Sequence, residues 1–449
     1  MKILLIRPRP HRETIGLQHV MICEPLELEY IAGNIERAEA QVEIIDMIIE
    51  KKPLEYFIKK YQPDVVGMGG YITHVNVIKE YAARIKDLRP ECKVIVGGVH
   101  AEVVPQDFLS KDIDFILEAN AIKTFNAILE DLENTDIEGT YREGKKSSQE
   151  TSFQYKFPAR AKVSKYREKY YYMFHNPCAL IKTSYGCPYN CSFCFCKEIT
   201  RGKYFTREIS SVIAELKEIP EKEIYIVDDD FLFSRERILE FCQELQANNI
   251  KKNFLVYGRA DFIANNEDVI KVFKDQGLSA VIVGLESYRN ADLDKYNKKT
   301  SLVENERAIA ILKKYQIEIY GTLILPMDFS KKDFQNLHNW LKDQGLIFVN
   351  LQPLTPLEGT AIYQVYIKDF IIKKEEFEKW DLAHLVLKPT AMSIRQYYWE
   401  IIKLYYKVTM EPRNVLKIIK KYGLWDVLKL SLGSTRVTMQ YLKKMIRGN

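Results

Sequence analysis

The sequence predicts an α/β protein: a doubly wound parallel sheet, then a partial (β/α)6 barrel and a C-terminal helical region. Short apolar runs alternate with helical patterns in two separate stretches, and only helical spacing follows residue 366. The 449 residues exceed what one hydrophobic core usually holds, so several domains are expected. We predict domains at 1–135, 173–365 and 366–449, with a polar linker at 136–172.

The N-terminal domain contains five apolar runs typical of strands that are buried on both faces. They lie at 2–6, 42–45, 65–71, 94–98 and 114–117, and helical patterns separate them at 26–37, 53–61, 75–88 and 122–132. This alternation predicts a doubly wound parallel sheet, which binds ligands at the carboxyl ends of its strands. Gly69, Gly70, Gly97 and Gly98 fall there. They either admit a ligand close to the backbone or only make tight turns.

The second domain repeats the alternation with six strand–helix units. Its strands are predicted at 180–183, 224–227, 254–257, 281–283, 319–325 and 349–353, and its helices include 209–216, 234–247, 267–276 and 302–314. Six such units indicate a barrel, or most of one, with its site at the carboxyl ends of the strands.

Composition and charge exclude several classes of protein. A net charge of +5 over this length does not indicate nucleic-acid binding. The chain opens on a strand pattern rather than a signal peptide, and no apolar run approaches about 20 residues, so we expect a cytoplasmic protein. Residues 413–449 hold nine Lys or Arg and one acid among apolar residues. This segment forms either a helical cap with a solvated charged face or a peripheral contact with an anionic membrane.

Four of the eight cysteines lie within ten residues. A tight cluster indicates metal or redox chemistry rather than the spread disulfides of a small secreted domain. In Cys187-Pro-Tyr-Asn-Cys191-Ser-Phe-Cys194, three thiolates can ligate three irons of a cubane cluster and leave the fourth iron open. A closed cluster or a zinc site that includes Cys196 is the alternative, although its position two residues beyond Cys194 is awkward for closing the same cluster.

This C-x3-C-x-aromatic-C loop after the first barrel strand resembles the signature of the radical S-adenosylmethionine (SAM) superfamily. Over the whole chain, the sequence resembles the subfamily with an N-terminal cobalamin-binding domain, the class B methyltransferases and cyclases. The resemblance implies a 4Fe–4S cluster on Cys187, Cys191 and Cys194, with SAM bound at the open iron and cleaved to a 5′-deoxyadenosyl radical. It also implies cobalamin, an electron donor such as flavodoxin or ferredoxin, and a small-molecule or lipid substrate.

Further motifs at the barrel strand ends match the family in order. They include Asp228-Asp229-Asp230-Phe231, Gly284-Leu285-Glu286-Ser287 and Gly321-Thr-Leu-Ile-Leu-Pro326. The resemblance assigns SAM contacts to six residues: Phe193 beside the adenine, Asp228 and Asp229 at the amino group, Arg259 at the carboxylate, and Glu286 and Ser287.

The N-terminal domain resembles a cobalamin-binding domain in Pro63-Asp-Val-Val-Gly67 and in Val94-Ile-Val-Gly-Gly-Val-His100. The resemblance assigns cobalamin contacts to Gly69, Gly70, Tyr71, Thr73, Gly97, Gly98 and His100. The chain has no Asp-x-His-x-x-Gly motif, so Tyr71 or its neighbours would lie near the lower face of the cobalamin. Leu117-Glu118-Ala119-Asn120 stands where the family has Gly-Glu-Gly-Glu, and losing both glycines could obstruct the nucleotide tail.

We therefore predict a cobalamin-dependent radical SAM enzyme that methylates an unactivated carbon. One alternative is radical cyclisation, coupling or rearrangement with a vestigial cobalamin domain. Another is a non-catalytic Fe–S electron carrier or redox sensor. Aromatic residues after the barrel favour a lipid or isoprenoid substrate, unless they only pack a core at helical spacing. They are Tyr397, Tyr398, Trp399, Tyr405 and Tyr406.

Overall fold

A computed structural model describes residues 1–16, 19–145, 147–148 and 153–447. The N-terminal strands are β1 (Lys2–Arg7), β2 (Met21–Ile22), β3 (Gln41–Asp46), β4 (Val65–Gly69), β5 (Lys93–Gly97) and β6 (Phe115–Ile116). The helices are α1 (Leu26–Gly33), α2 (Leu54–Tyr61), α3 (Val75–Leu88), α4 (Val99–Val103) and α5 (Ala121–Glu130). Five strands form one parallel sheet in the order β3-β1-β4-β5-β6.

Apolar residues fill both faces of this sheet, which explains the continuous apolar runs in the sequence. Leu4 and Ile6 pack into the core on one face, and Ile3 and Leu5 pack into the core on the other. The predicted doubly wound sheet is therefore confirmed. Helix α1 is shorter than the helical pattern because it ends at Gly33.

The segment between the two sheets packs against the N-terminal domain. A 3-10 helix spans Arg160–Lys169, and Val163, Tyr166 and Tyr170 are buried in the N-terminal core. Much of the region expected to be a polar linker therefore contributes to this core. The domain boundaries themselves stay predictions.

The second sheet forms the partial barrel. Its region contains β7 (Tyr171–Tyr172), β8 (Cys178–Ile181), β9 (Ser184–Tyr185), β10 (Phe205–Thr206), β11 (Glu223–Ile226), β12 (Asn253–Arg259), β13 (Leu278–Glu286), β14 (Glu318–Leu325) and β15 (Phe348–Pro353). The helices are α6 (Cys196–Ile199), α7 (Ile209–Glu218), α8 (Arg235–Ala247), α9 (Ala260–Asn265), α10 (Glu267–Asp275), α11 (Asn290–Lys295), α12 (Leu302–Lys314), α13 (Lys331–Asp343) and α14 (Tyr363–Tyr366). Six parallel strands pair in the order β15-β14-β13-β12-β11-β8.

A single side chain shows that this sheet is strongly curved. The Tyr172 ring lies 5.2 Å from the Tyr225 ring on β11 and 5.5 Å from the Tyr320 ring on β14. These strands are each next to an edge of the six-stranded sheet, so the sheet must curl to bring both onto one ring. Curvature of this kind places the carboxyl ends of all six strands around one opening.

The C-terminal region is helical, as predicted: α15 (Ile394–Thr409), α16 (Pro412–Tyr422) and α17 (Leu424–Arg447). Tyr397 and Tyr398 of α15 are fully buried, and the Tyr405 hydroxyl accepts a hydrogen bond from the Leu351 amide at 2.8 Å. These contacts support the core-packing interpretation for those aromatic residues. In the described part of the chain, no helix combines the length and apolarity that crossing a membrane requires.

Candidate functional site

The cysteine loop lies at the carboxyl end of the first barrel strand, after β9. Gly186 begins it with φ +86°, and an added Cβ would overlap the carbonyl oxygen of Lys203. Glycine is therefore required for the chain to turn back over the barrel. Cys187, Cys191 and Cys194 follow within this loop and are partly exposed to the space above the strands.

Cys196 contacts Cys194 of the loop as well as an acidic side chain. It begins α6, and its Sγ lies 3.6 Å from an Asp229 carboxylate oxygen. Within the described ranges, no three His, Cys, Asp or Glu side chains converge closely enough to hold a single metal ion. This finding concerns a single metal ion, whereas a cubane cluster spreads its cysteines over separate irons.

The three adjacent acids after β11 have different surroundings. Asp228 accepts hydrogen bonds from the Thr183 amide (2.6 Å), the Thr183 hydroxyl (2.6 Å) and the Ser184 hydroxyl (2.7 Å). Asp229 accepts one from the Gly186 amide at 3.1 Å, so these two carboxylates organise the start of the cysteine loop.

Asp230 is the exception among the three acids. It is 3% exposed, and neither of its carboxylate oxygens has a hydrogen-bond partner among the described residues. Burial raises the pKa of Asp230 to about 8, against the opposing effects of Arg259 and Lys298. A buried carboxyl without a partner needs a donor, and the amino group of SAM is a donor of the right charge. The family resemblance assigns this contact to Asp228 and Asp229. That assignment stays a prediction, and the geometry favours Asp230.

Arg259 ends β12 beside the cysteine loop. Its guanidinium lies over the Tyr189 ring at 3.7 Å from the centroid, and its Nη1 is 3.8 Å from Cys191 Sγ. Nε and Nη2 each donate to Asp261 at 3.0 Å. The predicted pairing with the SAM carboxylate would therefore have to compete with Asp261.

Glu286 ends β13 and Ser287 follows it, at a point where a bulge interrupts the pairing with β14. Glu286 has φ +60°, a strained conformation for a residue other than glycine. Its carboxylate pairs with Lys298 Nζ at 2.7 Å, and both side chains are buried. Burial alone would lower the pKa of Lys298, but Glu286 and Cys191 raise it overall. Ser287 donates to Asp292 at 2.6 Å, a structural contact.

Lys298 connects the predicted SAM residues to the cluster loop. Its ammonium lies 5.9 Å from the centroid of the Phe193 ring, which also packs edge-on against Tyr296. The site therefore holds two cations, Arg259 and Lys298, beside Cys191. Neutralising charge near cluster sulfurs is one way in which proteins set the reduction potential of Fe–S clusters.

The carboxyl edges of the two parallel sheets share one cleft. The Tyr185 hydroxyl, in the barrel, donates to Glu102 of α4 at 3.2 Å. Burial raises the pKa of Glu102 to about 7, and Tyr185 and Lys182 partly offset this. The barrel site and the ligand-binding edge of the N-terminal sheet therefore face each other directly.

Tyr71 occupies this cleft from the N-terminal side. Its side chain is 59% exposed, yet burial raises its pKa, and nearby Glu27, Tyr257 and Asp229 raise it further. A residue that is surrounded by both domains and still has accessible surface lines an open space between them. Tyr257, at 38% exposure, lines the barrel side of that space.

The glycines at the N-terminal strand ends lie close to one another. Gly98 has φ +99°, and an added Cβ would lie 2.8 Å from the Gly70 nitrogen and 2.9 Å from its oxygen. Gly69 and Gly97 lie side by side at the paired ends of β4 and β5. These contacts support the tight-turn interpretation at Gly98. Gly70 and Gly97 face side chains instead, because an added Cβ would lie 2.7 Å from His74 and 3.3 Å from Leu117.

The remaining predicted cobalamin residues differ in their contacts. Thr73 Oγ1 lies 3.4 Å from His74 Nδ1, and burial lowers the pKa of His74 to about 4, so this imidazole is neutral. His100 Nε2 lies 2.9 Å from Asp107, and its ring packs against Phe377 from beyond the barrel. His100 therefore helps to join the domains, and its assignment to cobalamin stays a prediction.

The turn that lacks the family glycines is unstrained. Asn120 takes its left-handed position with φ +49°, which asparagine tolerates, and Ala119 is buried under the Gly139 loop. The departure from Gly-Glu-Gly-Glu is thus accommodated without backbone strain. The open cleft and the glycine-lined edge fit a large planar cofactor.

Comparison with known proteins agrees with this geometry. A B12 binding domain model matches residues 14–129, and a Radical SAM superfamily model matches residues 181–341. The chain therefore carries a radical SAM domain and a B12-binding domain. The predicted family, enzyme class and cofactors are thereby confirmed: a 4Fe–4S cluster, SAM and cobalamin.

Relatives of this radical SAM protein cover most of its length. A hopanoid C-3 methylase from Methylococcus capsulatus is 27% identical over 439 residues, covering 93% of this chain and 83% of the methylase. An anaerobic magnesium-protoporphyrin IX monomethyl ester cyclase from Cereibacter sphaeroides is 21% identical over 88% of this chain and 68% of the cyclase. The solved structure of the cobalamin-dependent radical SAM enzyme OxsB, with aqua-cobalamin and SAM bound, superposes with a TM-score of 0.72. It is 15% identical, and the match covers 98% of this chain and 72% of OxsB, which supports the fold.

Sequence reasoning missed three residues of this radical SAM site. Lys298 comes from the loop after α11, where no motif marks it. Glu102 lies on a short helix of the other domain. Asp230 stood within the quoted acidic motif, but no pattern distinguished it from its two neighbours.

Proposed function

We propose that this protein transfers a methyl group to an unactivated carbon of a lipid or isoprenoid. The observation that carries this proposal is the shared cleft, in which Tyr185 and Glu102 join the barrel site to the edge of the B12-binding sheet. When bound, the cluster and SAM supply a radical that removes a hydrogen atom, and cobalamin supplies the methyl group.

The chain's own residues have separate roles in this proposal. Cys187, Cys191 and Cys194 would hold the cluster, and Asp230 would accept a hydrogen bond from the SAM amino group. Arg259 and Lys298 place positive charge beside the cluster loop. Preorganised charges of this kind favour a charged ligand without reorganising the site.

The N-terminal domain supplies the other side of the proposed site, across the cleft from the barrel. Tyr71 would contact cobalamin with its phenol, and the glycine edge at Gly69, Gly70, Gly97 and Gly98 would let the backbone approach it. Thr73 and His100 complete the proposed cobalamin contacts. The substrate would enter between Tyr71 and Tyr257, whose rings present an apolar surface with polar tips.

A lipid or isoprenoid substrate is supported by one comparison. The relative named as a hopanoid C-3 methylase aligns over 93% of this chain. We also propose that the electron comes from a small carrier such as flavodoxin or ferredoxin. The protein would work in the cytoplasm and contact the membrane from there.

The test is incubation of the reconstituted protein with SAM carrying a deuterated methyl group, a reductant, hydroxocobalamin and a total lipid extract. We expect the label in an apolar product, with formation that requires both cobalamin and Cys191. A product that lost hydrogen without gaining the label would favour cyclisation, the activity in the name of the Cereibacter sphaeroides relative. A full cluster that leaves SAM intact with every lipid would favour the electron-carrier alternative.

A further inference from the structure

The last helix of the chain exposes an apolar stripe. Trp425 (78% exposed), Leu432 (68%), Met439 (54%) and Ile446 (67%) recur every seven residues along α17. Leu428, at 46% exposure, lies beside them. Residues at this spacing share one side of a helix, so the exposed groups form a continuous surface rather than scattered positions.

The opposite side of α17 fixes how this stripe is presented. Tyr441 is buried and faces the Tyr398 ring of α15, with centroids 6.1 Å apart. Lys444, only 6% exposed, pairs with Glu13 at 2.6 Å, and Gln440 donates to the Thr14 carbonyl at 3.1 Å. Packing against two distant parts of the chain therefore sets the rotation of the helix and leaves the stripe outward.

A row of cations runs beside the apolar stripe. Lys429, Arg436 and Lys443 are exposed, and each follows a stripe residue by four positions. Helix α16 continues the pattern with exposed Leu416 beside exposed Lys417 and Lys420. The cap interpretation of this tail predicts a solvated charged face, and the exposed Trp and Leu side chains do not fit it.

We propose that α16 and α17 dock this protein on the surface of an anionic lipid bilayer. Trp and Leu side chains would insert at the level of the headgroups, and the flanking Lys and Arg would contact lipid phosphates. The proposal does not rest on methyl transfer, and its failure would leave that activity untouched.

Charge distinguishes this occupant from a second copy of the chain. A seven-residue apolar repeat also suits a coiled coil, whose flanking positions usually pair opposite charges. Here one flank is uniformly basic, and the other flank carries Ser431, Thr438 and Met445. The one acid of α17, Asp426, lies 3.8 Å from Lys429 of the same helix. Two copies would therefore bring Arg436 and Lys443 together without acidic partners, whereas an anionic bilayer complements both cations.

The test is flotation of the full-length holoenzyme with lipid vesicles. We expect it to float with phosphatidylcholine vesicles in which about a third of the lipid is phosphatidylglycerol, and not with phosphatidylcholine alone. Binding should be lost in about 1 M NaCl, where the screening length is about 3 Å. A double variant, Leu428→Glu with Leu432→Glu, should lower the bound fraction about tenfold or more. Val303→Glu is the matched control, because this α12 valine is 72% exposed and lies outside the stripe.

Three outcomes would overturn the proposal. The wild-type protein could fail to float with anionic vesicles, or it could float equally well with neutral vesicles in high salt. It could also form a dimer that Leu432→Glu dissociates, which would make the stripe an interface between copies. The wild-type comparisons need no variant, and an unchanged thermal melt would show that the double variant is folded.

Discussion

Replacing Asp230 by asparagine should stabilise the SAM-free protein and weaken its binding of SAM. Burial raises the pKa of Asp230 from 3.8 to about 8. Because the folded pKa lies above the unfolded one, ionisation in the unfolded chain destabilises the fold progressively as pH rises through this range. At about 1.36 kcal/mol per unit, the destabilisation at pH 7 is at most about 4 kcal/mol, and at pH 5 at most about 1.6 kcal/mol.

Asparagine has the same shape as aspartate and no charge. The Asp230→Asn variant should therefore have a higher free energy of unfolding than the wild-type protein, and the difference should be larger at pH 7 than at pH 5. Denaturant unfolding of SAM-free protein at both pH values measures the effect, and equilibrium dialysis measures SAM affinity, which should fall about tenfold or more. Asp228→Asn is the matched control. It should destabilise by about 2 kcal/mol, because Asp228 accepts three hydrogen bonds. A less stable Asp230→Asn protein at pH 7, or one that binds SAM normally, would refute the reasoning.

Three further substitutions test other parts of the site. Lys298→Met should leave the buried Glu286 unpaired and lower the free energy of unfolding by about 3–5 kcal/mol. It should also make the reduction potential of the cluster more negative in a redox titration. An unchanged potential would show that Lys298 does not act on the cluster. Gly98→Ala should place a Cβ 2.8 Å from the Gly70 nitrogen and lower the free energy of unfolding by about 1–3 kcal/mol. It should also reduce the amount of cobalamin that co-purifies, measured by its absorbance. Full retention of cobalamin would contradict the proposed cobalamin contact at this glycine edge. Cys196→Ala should keep the iron content of the wild-type protein, and loss of iron would support the closed-cluster alternative.

The elements were predictable where burial imposes a period on the sequence. Helices α3 and α12 begin and end at the predicted residues, because their apolar faces are complete. The segment Arg160–Lys169 was not predicted, because its buried Val163 and Tyr166 sit in a polar stretch without a regular period. The packing of this segment depends on contacts with the N-terminal sheet, and the local sequence does not indicate those contacts.

The site was predictable where one loop carries the chemistry. Cys187, Cys191 and Cys194 lie on a single turn, so their spacing reports their function directly. Glu102 and Lys298 reach the site from other elements, and only the folded chain brings them to Tyr185 and Cys191. Asp230 differs from its neighbours in accepting no hydrogen bond from any residue that the structure describes, a property of the fold rather than of the motif.

The most direct test of the central claim is anaerobic reconstitution with iron and sulfide, followed by incubation with SAM, dithionite and hydroxocobalamin. Mass spectrometry then follows 5′-deoxyadenosine and S-adenosylhomocysteine, and EPR follows the reduced cluster. We predict that SAM changes the EPR signal and that 5′-deoxyadenosine forms and disappears in Cys191→Ala. S-adenosylhomocysteine should appear only with cobalamin. A fully loaded cluster whose EPR signal does not respond to SAM would contradict the account.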